Sequence, residues 1–209
     1  LGAYGGNLNP GVKTVYAKVS DSLGNWVTEP AIDTILYVPD RQILEVPTQY
    51  STIQVAIDAA QAGDIVYVLP GDYKEDVVLK EGIRLQGSGP QITSLSALTH
   101  GEPAIIATDN SVVDGFTINR TGGYIGILCD NASPIISNNI IHGNRGVQVR
   151  GGSKPIIRNN LFESSQIAIF LVGETSAVIE NNTIVGNNEG IYLTQATPNS
   201  CIYVINNVI

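Results

Sequence analysis

His142 and Glu163 stand 21 residues apart, and a histidine beside a carboxylate is a general acid/base couple if folding joins them. The same interval separates or nearly separates other residues with chemistry to offer. Asp130 precedes Arg150 by 20 residues, and Arg158 precedes Glu180 by 22. Opposite charges repeated at one step read first as cross-strand pairs, worth roughly 0.2–1 kcal/mol each, and that reading is preferred over catalysis here. His142 and Glu163 remain the only catalytic candidates. Phe170 and Tyr192, with Gln148 one step earlier, form a second group. Two outward aromatic rings and an amide suit a sugar, whose apolar face stacks on the rings while its hydroxyls take hydrogen bonds. A covering loop or neighbouring subunit explains the same stripe, and that reading is slightly preferred over a sugar site.

The step itself is the key to the elements that position these residues. Asn138-Asn139, Asn159-Asn160, Asn181-Asn182 and Asn206-Asn207 recur at intervals of 21, 22 and 25 residues. Gly126-Ile127, Gly146-Val147, Ala168-Ile169 and Gly190-Ile191 keep the same period, as do Ile136, Ile157, Ile179 and Val204. A repeat in the low twenties signals a solenoid. Each unit holds short, alternating, β-branched runs broken by Asn, Gly, Ser and Pro, without a Leu-x-x-Leu-x-Leu skeleton. That pattern predicts a parallel β-helix, with short parallel strands stacked about 4.8 Å apart. One coil cannot stand alone. Ordering its backbone costs roughly 1–2 kcal/mol per residue, while each buried aliphatic returns only about 1.5–3 kcal/mol.

Asn enters the left-handed backbone region more readily than any residue but Gly, so the pairs suit sharp corners. A stacked Asn also hydrogen-bonds its equivalents above and below. Asn139, Asn160, Asn182 and Asn207 are assigned to that structural ladder, with a shorter column at Asn144, Ser165 and Asn187.

Ahead of the repeats, Ser51 is expected to cap a helix over residues 52–61, with Gln54 completing a capping box. Ile53, Ala56, Ile57 and Ala60 give it one apolar stripe, and Gly63 stops it. Such a helix would cover the open end of the coil core. Residues 1–40 read differently, as a β-hairpin with strands at Val12–Val19 and Ala31–Val38 around a turn at Asp21–Asn25. The expected division is therefore 1–40 and 41–209.

Three resemblances attach to these residues. Thr52 to Asp64, Leu69 to Tyr73 and Gly82 to Gly87 resemble the N-terminal cap and first coil of the pectate-lyase-like right-handed β-helix superfamily, and the Asn-Asn coils resemble its repeats. The likeness spans about residues 43–209. It implies an all-β fold, a right-handed single-stranded parallel β-helix with a short N-terminal capping α-helix and an N-terminal β-hairpin. It implies no one activity, since the superfamily holds lyases, hydrolases, epimerases, adhesins and binders. Of the polygalacturonase-like signatures only His142-Gly143 is present, and the pectate lyase signatures are absent. The chain therefore leans away from an enzyme. Separately, Val15-Tyr16, Asp21 and Gly24-Asn25 followed by Trp26 resemble the last two strands of immunoglobulin-like modules of prokaryotic surface proteins. Leu1–Gly6 resembles a segment that closes β-helix domains, which would place a further β-helix upstream.

A net charge of −8, from 11 Lys+Arg against 19 Asp+Glu, argues against a nucleic-acid partner. No apolar run reaches the length of a membrane span. Cys129 and Cys201 fall about three coils apart, too far for a disulfide, and Cys129 aligns with Val149, Leu171 and Leu193 as an inward thiol. No metal or cofactor is implied, and calcium dependence stays open. Asn119, Asn131 and Asn181 begin glycosylation sequons. The expectation is an extracellular or cell-surface module, either binding a polysaccharide or surface glycan or acting as a structural spacer. A filament or adhesin subunit joined through its coil ends is one alternative. A polysaccharide lyase or hydrolase with its site mostly outside residues 1–209 is the other.

Overall fold

A computed structural model describes residues 11–17, 23–25, 31–37, 41–119 and 125–209. They divide into two units, Leu1–Arg41 and Gln42–Ile209. In the first, β1 (Gly11–Ala17) and β2 (Ala31–Tyr37) pair antiparallel, with Thr14 opposite Thr34. Leu1–Gly6, Trp26 and the start of the turn at Asp21 lie outside the described residues.

The second unit is a coil with three faces. After β3 (Ile43–Val46) and helix α1 (Ile53–Ala59), the chain visits the faces in strict rotation. The first face stacks β3, β4 (Ile65–Val68), β7 (Arg84–Gly87), β10 (Val112–Asp114), β13 (Ile135–Ser137), β16 (Ile156–Arg158), β19 (Ser176–Glu180) and β22 (Cys201–Ile205). The second stacks β5 (Gly71–Lys74), β8 (Thr93–Ser96), β11 (Thr117–Asn119), β14 (Ile140–Ile141), β17 (Leu161–Glu163) and β20 (Thr183–Val185). The third stacks β6 (Val77–Val78), β9 (Ile105–Ala107), β12 (Ile125–Asp130), β15 (Arg145–Arg150), β18 (Ile167–Val172) and β21 (Glu189–Thr194). Pairings within these three sheets are parallel. The result is an all-β, right-handed parallel solenoid with one short helix.

Alternation builds the core. Val113, Ile136, Ile157 and Ile179 point inward from the first face and are fully buried, while their neighbours at both sides point out. Cys129, Val149 and Leu171 form an inward column on the third face, in register with Leu193. In the last coil the inward columns stay open: Leu193 is 42% and Val204 49% exposed. The small residues at 126 and 146 answer a close approach. A Cβ on Gly126 would lie 2.6 Å from the Gly146 carbonyl oxygen, and one on Gly146 2.6 Å from that of Ala168.

Helix α1 buries Ile53, Ala56 and Ile57, and its C-cap Ala60 is buried as well. Its caps differ from the expectation. Thr52, not Ser51, is the N-cap, and its hydroxyl accepts the Val55 N–H. The other free N–H groups are taken from the first coil, where the Glu75 carboxylate accepts from Ile53 and Gln54. Gln54 therefore forms no capping box. Its side-chain amide bonds both the N–H and the carbonyl of Val78, filling the place of a neighbouring strand. The helix ends at Ala59, short of residue 61, where Ala60 turns to extended backbone at ψ 153°, and Lys80 reaches over to bond the carbonyls of Asp58 and Ala60. Gly63, at φ 98°, belongs to the following turn rather than to the helix end.

Glu75→Ala removes both helix-capping bonds at once. It is expected to cost about 1–2 kcal/mol, near the upper end for an N-cap, read as a lower urea midpoint with unchanged slope.

Candidate functional site

The corners between the first and second faces hold the Asn pairs. The first residue of each pair carries the bend, with Asn138, Asn159, Asn181 and Asn206 at φ 52–58°. The second points inward. The Oδ1 atom of Asn160 accepts the backbone N–H and the side-chain N–H of Asn139, at 3.0 and 3.1 Å. Asn182 does the same for Asn160, and Asn207 for Asn182. Each amide nitrogen also donates to a carbonyl one coil back, at Val113, Ile136, Ile157 and Ile179. Asn139, Asn160 and Asn182 are 1–2% exposed, so no water replaces these bonds. The ladder begins one coil earlier than the Asn pattern. Gly115, at φ 79°, makes the bend there, and the buried Phe116 donates its N–H to Asn139 Oδ1.

The shorter column is incomplete. Asn187 accepts the Ser165 N–H and donates to the Phe162 carbonyl. Ser165 has too short a side chain for the equivalent bonds, and its buried hydroxyl has no partner.

On the third face the expected ligand group departs from its reading. Phe170 and Tyr192 are stacked across adjacent coils, with centroids 5.6 Å apart and planes 20° from parallel. Arg145, from the preceding coil, places its guanidinium 4.3 Å from the Phe170 centroid. With a cation on one side and a ring on the other, Phe170 has no free face for a sugar. Gln148 is outward in register yet only 4% exposed, and its Oε1 accepts from Arg145 Nη1 at 2.9 Å. Only Tyr192, 42% exposed, keeps a surface. Arg145 was not singled out from sequence because it shares a register row with the aliphatic Ile125 and Ile167.

His142 and Glu163 do meet on the second face. Nε2 of His142 lies 3.9 Å from Glu163 Oε1, and Nδ1 lies 3.2 Å from the Glu163 carbonyl oxygen. Asp130 and Arg150 form a pair at 2.8 Å. Arg158 and Glu180 share a register row without forming an ion pair; Arg84 with Asp114, at 3.1 Å, is a pair the sequence did not suggest. Among the described residues no three His, Cys, Asp or Glu side chains converge. A polar groove of about 270 Å³ lies on the second face between β5, β8 and the loop at Pro90–Ile92, with Asp72 accepting from Ser94 inside it.

Of the sequon asparagines, Asn131 is exposed and bonds Asp130, and Asn181 is exposed at its corner; the Thr121 of the first sequon lies outside the described residues. The two cysteines are free, with Cys129 buried and Cys201 exposed. Burial pushes the Cys129 thiol far up from its ordinary 9.0, which keeps it protonated and inert. Above about pH 9 the unfolded chain's thiol ionises and the folded one does not, so folding loses stability there.

Three outcomes test the site. Asn160→Ala strips Asn139 of its acceptor and should cost about 3 kcal/mol or more, against less than about 1 for the exposed Ser164→Ala, by denaturant melts. Ser165→Asn should complete the shorter column and add about 1 kcal/mol. A maleimide should label Cys201 within minutes and Cys129 only in denaturant.

The comparison with known proteins agrees with this geometry. The family model described as "Right handed beta helix region" matches residues 81–209, more than half of the chain. No curated protein matches it. With three parallel faces, stacked corners and that match, the chain belongs to the right-handed beta-helix family.

Proposed function

We propose that residues 42–209 serve as a rigid structural module of an extracellular or cell-surface protein, holding other parts of that protein in place rather than turning over a substrate. One observation carries this reading. Outward side chains that could have served a ligand are bonded to one another, chiefly along the coil axis. Between coils, Phe170 lies between Arg145 and Tyr192 and Arg150 is bonded to Asp130; within its own strand, Gln148 is bonded to Arg145. Interactions directed along the axis stiffen a solenoid, in which each coil otherwise touches only its neighbours. The acidic surface and Asn-rich corners suit a soluble, exposed location.

Carbohydrate binding is the second reading, and its best support is the polar groove beside Asp72 together with the open side of Tyr192. A lyase or hydrolase reading draws little from His142 and Glu163, which provide one carboxylate where glycoside hydrolysis uses two.

Phe170→Ala and Tyr192→Ala separate the readings. For a structural stack each variant loses about 1–2 kcal/mol, a drop of roughly 2–8 °C in melting temperature, and neither wild type nor variant is retained on a glycan array. A glycan bound by wild type and lost by Phe170→Ala, at unchanged melting temperature, would reverse the assignment. For location, a membrane-impermeant thiol reagent should modify Cys201 on intact source cells; labelling only after lysis would contradict it.

A further inference from the structure

The outer surface of the first face carries an apolar stripe that none of the foregoing uses. Val112, Ile135, Ile156 and Val178 are outward, half-buried, and follow one another in register on adjacent coils, ending at Tyr203, which is 56% exposed. Across these four coils each adds one β-branched side chain to a straight row about 4.8 Å in step, and Arg84 precedes Val112 at the same register. Two residues further along each strand runs a second outward row: Asp114, Ser137, Arg158 and Glu180.

Charge in that second row selects a partner. Asp114 already draws in Arg84, Ser137 and Asn138, all through Oδ2. Arg158 makes no ion pair within the described chain, although Glu180 is its register neighbour. Turned end for end and laid face to face, a second copy meets the row with its charges in reverse order. Centred on Ser137, that arrangement sets Asp114 against the partner's Arg158, and Arg158 against the partner's Asp114. Ile135 then meets the partner's Ile135, and Val112 meets the partner's Ile156. Half a coil further on, Asp114 would face the partner's Glu180. One full coil further, Arg158 would face the partner's Arg158. Two centres join the apolar row to both opposite charges: Ser137, and the point a coil and a half further where Arg158 meets the partner's Glu180. Of the two, Ser137 puts a small side chain, only 4% exposed, on the axis, which leaves room for the two sheets to close.

We propose that this stripe is the contact face of an antiparallel homodimer, two copies of this chain packed sheet to sheet about a two-fold axis through Ile135 and Ser137. The contact is isologous, each copy using the same surface, and it supplies Arg158 with the carboxylate that its own chain withholds. Its sides are faces rather than ends, so it requires nothing of α1, which covers one end of the core.

The test uses the whole 209-residue chain. Light scattering over a concentration series should show a dimer, and Ile156→Lys should raise its dissociation constant about 100-fold or more with an unchanged circular dichroism spectrum. In a Cys201→Ser background, Ile135→Cys sits on the axis, where facing sheets lie about 10 Å apart, and should cross-link to its own copy through a short bis-maleimide. Val178→Cys, off the axis, should do so at least ~10-fold more slowly, because its two copies lie four coils, about 19 Å, apart along the solenoid. A wild-type monomer at every concentration overturns the proposal. So does a dimer that Ile156→Lys leaves intact, or one in which Val178→Cys cross-links as fast as Ile135→Cys.

Discussion

A coil of this chain has no hydrogen-bond partner for most of its backbone except the coil beside it. That dependence governs the rest of the structure. Strand N–H and C=O groups are satisfied by parallel stacking, but the corners between faces cannot pair as strands and still pass through the interior. The Asn ladder solves this with a side chain that imitates backbone: one carbonyl oxygen accepting twice, one amide nitrogen donating to the coil behind. Because an Asn in one coil needs an Asn or an N–H at the same place in the next, the corner chemistry repeats. Where it does not repeat, as at Ser165, a buried hydroxyl is left without a partner.

The same dependence explains why α1 is stitched to the first coil by side chains. Glu75, Gln54 and Lys80 each bridge helix and coil, serving the N-terminus, the sheet edge and the C-terminus in turn. Seven residues of helix would be marginal in isolation. Here the burial of Ile53 and Ile57 and three borrowed partners hold it.

Much of this was legible in sequence, and for a physical reason: a ladder demands one residue type at one interval. The Asn pairs, the inward Ile columns and the apolar stripe of α1 all follow such rules. Residues that act across coils without a repeat did not show. Glu75 caps a helix 21 and 22 residues away, and no local spacing announces it. Gly115 and Phe116 take the Asn-Asn corner with different residues, so the ladder's first rung was invisible. On the third face, alternation placed Gln148, Phe170 and Tyr192 on the outside, as they are in register. It said nothing of a guanidinium arriving from residue 145, which occupies a ring face and an amide oxygen together. Reading a site from alternation gives direction but not occupancy.

The central claim is that the corners are held as firmly as the strands. Native-state hydrogen exchange of the Asn139, Asn160 and Asn182 backbone amides measures this directly, since each donates to a side-chain oxygen rather than to a strand. Protection equal to that of Ile136 and Ile157 is the predicted result, with all of them opening only on global unfolding. Exchange of the three Asn amides at the rate of exposed loops, while the strand amides stay protected, would contradict the account.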